Sequence, residues 1–189
     1  MNEKEFNVEQ EILPKEKKKK KVGIGDIIFY IIIAILLVLS LTRTVLISHV
    51  IGQSMEPTLH NGDTCIVVKD FDGYEQGDIV VFNSIEDKAL IKRVIAVGGQ
   101  AVLISDGIVY VDGKAITEEY LKEGEFTVGH DIKGNVIVPK GCYFVLGDNR
   151  NNSLDSRSNT VGFIKETDII GESVFSFNTK DLVAVMLLK

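Results

Sequence analysis

The sequence predicts a mostly β protein carried behind a single N-terminal transmembrane helix. Three observations point there. The run Ile27–Thr42 holds 16 residues without a charge and is apolar all round rather than along one stripe. The chain beyond it breaks into short Val- and Ile-rich runs divided by Gly-containing turn signals. No long amphipathic helix follows.

The elements read in order. "PKEKKKKK", Pro14–Lys21, is a solvated lysine run, and residues 1–26 carry seven lysines against six acids. Its six lysines place the N-terminus in the cytoplasm by the positive-inside rule. The helix is expected over 24–44, with Asp26 and Arg43 reaching the interfaces and "TVLISHV" extending the apolar length. A cleaved leader would have a shorter apolar region and a small-x-small site, so an uncleaved signal anchor is the reading. The chain thus divides into a basic cytoplasmic tail (1–23), an anchor (24–44) and an extracytoplasmic domain (45–189) of ordinary single-domain size.

Within that domain "TCIVVKD", "DIVVFN", "LIKRVIAV", "QAVLI", "GIVYVDG", "NVIVP" and "CYFVLG" read as strands of a mostly antiparallel fold. "SDGIVYVDGK" reads as two tight turns around one strand. "TEEYLKEG" allows a helical turn or two. The terminal "LVAVMLLK" is too short to span and is either a core strand or an interfacial segment. Residues 27–189 carry 14 Lys and Arg against 21 acids, which argues against nucleic-acid binding. Cys65 and Cys142 read as small buried hydrophobes, with a disulfide left open. His49, His60 and His130 form no ligand motif, and no metal or cofactor is called for.

The chemistry centres on "GQSMEPTL", Gly52–Leu59. A serine hydroxyl is a weak nucleophile without a base. Around Ser54 the elbow pattern G-x-S-x-G fails at Glu56, and no S-x-x-K is present. Lys92, in "ALIKRVIAVGG", sits in an apolar strand, where alternation puts it on one face with Leu90 and Val94 and puts Arg93 on the other. Such a lysine either snorkels at a sheet edge or is desolvated. Desolvation lowers its pKa and would let it take the Ser54 proton. A third stretch, "LGDNRNNSLDSRSNTVG", alternates Asp148, Arg150, Asp155 and Arg157 with Ser153 and Ser156 between them. It suits a polar network whose charges satisfy one another beneath a site.

Together "SMEPTL", "GDIVVF" (Gly77–Phe82), "KRVIAVGG" and "GDNRNNSLDSR" resemble, in order and spacing, the motifs of bacterial type I signal peptidases in their compact, single-anchor Gram-positive form. The resemblance covers about residues 22–175. It implies a catalytic β domain of signal-peptidase type with a small cap at about 102–140. It implies Ser54 as nucleophile and Lys92 as general base. Ser153 would orient the Lys92 amine, Asp155 and Arg157 would support it, and Arg93 would pair with Asp148. The Ser54 N–H would hold the oxyanion, while Gly52 offers no hydroxyl where some relatives carry a serine. The implied activity is removal of signal peptides after A-x-A-type sites. The implied partners are secreted preproteins, the lipid bilayer and the secretion translocon, at the cell membrane and without a cofactor. Two alternatives stand beside it. One is a serine–lysine self-cleaving domain of SOS-repressor type, although those carry a helix-turn-helix where this chain has lysines and an apolar run. The other is an inactive membrane-anchored scaffold, which would have no need of Ser54, Lys92 and Ser153 together.

Overall fold

The structure, a computed structural model, describes residues 23–69, 72–84 and 88–178. The lysine run and the terminal "LVAVMLLK" lie outside these residues. Helix α1, Ile24–Thr44, has Asp26 in its first turn, where a carboxylate complements the helix dipole and accepts the Gly23 N–H at 2.9 Å. The side chains of residues 39–43 are not among those described. Among the described residues, no helix is long and apolar enough to cross a membrane.

The helix ends at Thr44, at the bound expected for it. "VLISH" forms strand β1 (Val45–His49) instead of extending α1, and it pairs antiparallel with β2 (Asp63–Val68) from Val45↔Val68 to His49↔Thr64. Two β-branched residues, Val45 and Ile47, meet a ready partner there, and tertiary pairing decides. The further strands are β3 (Ile79–Asn83), β4 (Ala89–Val97), β5 (Ala101–Ser105), β6 (Ile108–Val111), β7 (Lys114–Ala115), β8 (Val136–Ile137), β9 (Cys142–Leu146), β10 (Ile164–Lys165) and β11 (Ile169–Asn178). One sheet runs β1-β2-β11-β3-β4-β9-β10 and the second runs β7-β6-β5-β8. Every pairing is antiparallel.

The smaller sheet spans the region expected as a cap. Its hairpins turn at Asp106-Gly107 (φ 52° and 82°) and Asp112-Gly113 (φ 50° and 76°). Both central residues are left-handed, the conformation that Asp-Gly tolerates and that matches strand twist. "TEEYLKEG" forms turns and no helix.

Three apolar clusters hold the domain. Val80, Phe82, Val94 and Val145 form one with Tyr74 and Tyr143. Ile95, Phe144 and Leu146 join the larger sheet to Val102, Val109 and Val111 of the smaller one. Met55 and Leu59 pack under the Ser54 turn with Val50, Cys65, Val67 and Val81. Each large side chain so buried contributes about 1.5–3 kcal/mol. Met55 is therefore a core contact that fixes the serine turn. Cys65 and Cys142 are both free thiols.

Candidate active site

The Ser54 turn lies between β1 and β2, and Lys92 lies in the middle of β4. The β3–β4 pairing sets Val80 opposite Lys92 and Ile79 opposite Arg93. Lys92 is 2% exposed. Its Nζ donates to Ser54 Oγ at 2.7 Å and to the Ile91 carbonyl at 2.7 Å. Ser54 Oγ has no other hydrogen-bond partner among the described residues, and His60 turns to Asp63, through its backbone N–H at 2.8 Å and its ring at 3.8 Å. Burial pulls the Lys92 pKa down to about 8, against the opposing pull of Asp155 and then Asp148. About a tenth of the amine is then neutral at pH 7, against ~0.04% for an unperturbed lysine.

The polar stretch after β9 supports this pair from behind. Asn149 donates its backbone N–H to the Ser54 carbonyl at 3.0 Å and its Nδ2 to the Gln53 carbonyl at 3.0 Å. The serine turn is thus clamped from 96 residues away. Asp155 and Arg157 form a buried two-pronged pair, Nε–Oδ1 and Nη2–Oδ2 each 2.8 Å. The Gly147 N–H adds a third bond to Asp155 at 3.0 Å. Burial would raise the Asp155 pKa, but the hydrogen bonds and charge of Arg157 outweigh it and hold the carboxyl below its ordinary value. Arg93 and Asp148 form a second two-pronged pair at 2.9 and 2.7 Å, completed by Thr58 Oγ1 donating to Asp148 at 2.5 Å and by Arg93 donating to the Gly77 carbonyl at 2.8 Å. Such paired geometry is what allows these charges to be buried.

Ser153 differs from the expectation. Its Oγ is buried and close enough to Asp155 to help hold that carboxyl down, but it meets no partner in good hydrogen-bonding geometry among the described residues, and no bond to Lys92 is formed. Gly147 packs directly against its side chain. The loop is also less self-contained than its alternating charges suggest. Only Asp155 and Arg157 pair within it. Asp148 turns to Arg93 on β4, and Arg150 turns to Glu118 and Thr127 in the connection between β7 and β8. Asn149, Thr58, Glu118, Tyr120 and Thr127 were not singled out by the sequence, because their partners lie far away along the chain.

A cleft of about 410 Å³ opens in front of the pair, lined by Ser54, Lys92 and apolar side chains that include Val50, Val81, Leu90 and Ile91. The Ser54 N–H donates to no acceptor among the described residues. A hydroxyl held against a buried amine, beside an unoccupied backbone donor and at the edge of an apolar groove, is an arrangement that fits the chemistry of a serine peptidase.

Similarity to known proteins narrows the class. The family described as "Signal peptidase, peptidase S26" matches residues 24–178. The chain belongs to this signal peptidase family. "Signal peptidase I P" of Bacillus subtilis subsp. natto is 40% identical over 181 residues, covering 89% of this chain and 96% of the relative. "Signal peptidase I T" of Bacillus subtilis strain 168 is 41% identical over 159 residues, 78% of this chain and 81% of the relative. A solved signal peptidase I from Enterococcus faecalis is 29% identical, with a TM-score of 0.44 over 53% of this chain and 96% of that one.

Proposed function

We propose that this signal peptidase removes N-terminal signal peptides from secreted preproteins with Ser54 as nucleophile and neutral Lys92 as general base. The observation that carries the reading is the 2.7 Å contact between Ser54 Oγ and an almost fully buried Lys92 Nζ. The neutral amine takes the Ser54 proton as Oγ attacks the carbonyl of the residue before the cut. The Ser54 N–H faces the developing oxyanion. Lys92, now protonated, gives its proton to the leaving amine. Water, deprotonated by the same amine, then releases the acyl group and restores the hydroxyl.

Strand pairing supports an extended substrate. Ala89–Lys92 pair with β3 on one side, while pairing with β9 on the other begins only at Arg93. β1 is an edge strand of the same sheet. A peptide laid along these open edges in the cleft would gain main-chain hydrogen bonds without sequence demands. The aliphatic lining near Ser54 favours small apolar side chains before the cut, as in an A-x-A site. Residues 24–44 anchor the enzyme in the bilayer with its N-terminus in the cytoplasm. The anchor and the preprotein's own signal sequence then share one surface, which raises their effective concentration.

The test is cleavage of a preprotein with an A-x-A site by the full chain in detergent. Wild type should cut once, after the small residue. Ser54→Ala and Lys92→Ala should fold and cut nothing. Cleavage by folded Lys92→Ala would overturn the assignment of the base.

A further inference from the structure

The dyad and its two ion pairs leave one element unexplained. Tyr120 and Glu118, in the connection between β7 and β8, reach back to the larger sheet. The Tyr120 ring lies under the Arg93 guanidinium with Cζ 4.0 Å from its centroid, and Arg150 Cζ lies 6.0 Å from the same ring. The Tyr120 hydroxyl donates to Glu118 Oε1 at 2.9 Å, and the same oxygen accepts Arg150 Nη2 at 2.5 Å. Thr127, from the same connection, meets Arg150 Nη1 at 2.5 Å. One aromatic ring thus serves two guanidinium groups, and one carboxylate orients both the ring and the second guanidinium.

We infer that Tyr120, held by Glu118, is a positioning residue for the proposed reaction: its ring seats Arg93 so that the Arg93–Asp148 pair forms beside Lys92. This rests on Lys92 acting as the base. The link is short. Arg93 is the chain neighbour of Lys92, and both its Nε and its Nη2 are committed to Asp148. An aromatic face holds a guanidinium flat, which suits a fork that must meet a carboxylate in two places. The charges acting on Lys92 are Asp155 and Asp148, each paired with an arginine, Arg157 and Arg93. Among the described residues, the ring stacks on Arg93 of one pair, while Asp155 and Arg157 satisfy each other within the loop after β9. With the ring removed, Arg93 loosens and the Asp148 charge, which already pulls the Lys92 pKa up, is less compensated, which favours the protonated amine. The connection between β7 and β8 thus tunes the base through Arg93.

The experiment compares pH profiles of kcat/KM for cleavage of the A-x-A preprotein by full-length wild type, Tyr120→Phe and Tyr120→Leu, with thermal unfolding of each. Phenylalanine keeps the ring face; leucine removes it. The inference expects Tyr120→Leu to move the acidic limb to higher pH, so that activity at pH 7 falls about three- to tenfold and recovers in alkaline buffer. Tyr120→Phe should keep the wild-type limb. If Tyr120→Leu does not fold, Tyr120→Met, similar in length and also lacking the ring, takes its place. A loss that is the same at every pH, an unshifted limb, or a Tyr120→Phe as shifted as the ring-less variant overturns the inference. An inactive wild type would instead overturn the proposed function.

Discussion

Gly147→Ala strikes the site at its tightest point. A Cβ added there would lie 2.5 Å from the Ser54 carbonyl oxygen and 2.6 Å from Ser153 Cβ, and it would overlap Ser153 Oγ. Ordinary contact begins near 3.4 Å. Neither neighbour yields easily. The Ser54 carbonyl is fixed by the Asn149 N–H, and Gly147 itself is fixed by its N–H to Asp155. Relief must come from the backbone of the serine turn or of the loop after β9. Overpacking of this kind costs about 1–3 kcal/mol. In a domain of this size that lowers Tm by roughly 2–12 °C. The larger effect falls on rate, because displacing a nucleophile by about 1 Å costs on the order of 100-fold. Differential scanning calorimetry and cleavage kinetics read both. A variant with unchanged Tm and kcat/KM within twofold of wild type would show that the loop does not press on the nucleophile, and the clamping argument would fail.

Further expectations follow from the buried charges. Lys92→Met should abolish cleavage and raise Tm, because at pH 7 the lowered pKa of Lys92 represents a penalty of about 3 kcal/mol that an apolar side chain avoids. The sign is consistent with linkage. Below about pH 8 the folded and unfolded amines are both protonated; between about 8 and 10.5 the unfolded chain holds more protons, so wild-type stability should rise across that window and Lys92→Met should not follow it. Asp155→Asn leaves Arg157 buried without its counter-charge and should destabilise by about 3–5 kcal/mol, measured by urea unfolding. Because the folded Asp155 pKa is depressed, its stabilisation is present above the ordinary carboxylate range and lost as pH falls through the folded value, so wild type and variant should converge in acid. Cys65, fully buried and with its thiol pushed up by burial, should react with a maleimide only on unfolding, while the partly exposed Cys142 reacts in the native protein.

The legible and illegible parts of this molecule differ in range. Strands β2 to β6, β8 and β9 announce themselves through local Val and Ile runs closed by Gly turns. β1 does not, because "VLIS" continues the apolar run of the helix with no turn signal between them. β11 does not either, although it lies between β2 and β3 in the sheet. Its register shifts between Ser173 and Phe175 and again between Ile169 and Gly171, so strict alternation is broken. At the site, Ser54 and Lys92 stand out as a serine after a turn and a lysine in an apolar strand. Glu118, Tyr120 and Thr127 look like ordinary loop residues. Their place becomes visible only when the fold brings them to Arg93 and Arg150.

The proposed chemistry rests on Lys92 acting as a neutral base at ordinary pH. The most direct measurement is the pH dependence of kcat/KM for wild type from about pH 6 to 10. The rate should rise through one ionisation with a midpoint near 8, the value to which burial lowers Lys92. The midpoint should be unaffected by His49→Gln or His60→Gln. A midpoint near 6.5 that disappears with either histidine, or a rate still climbing above pH 10, would contradict it.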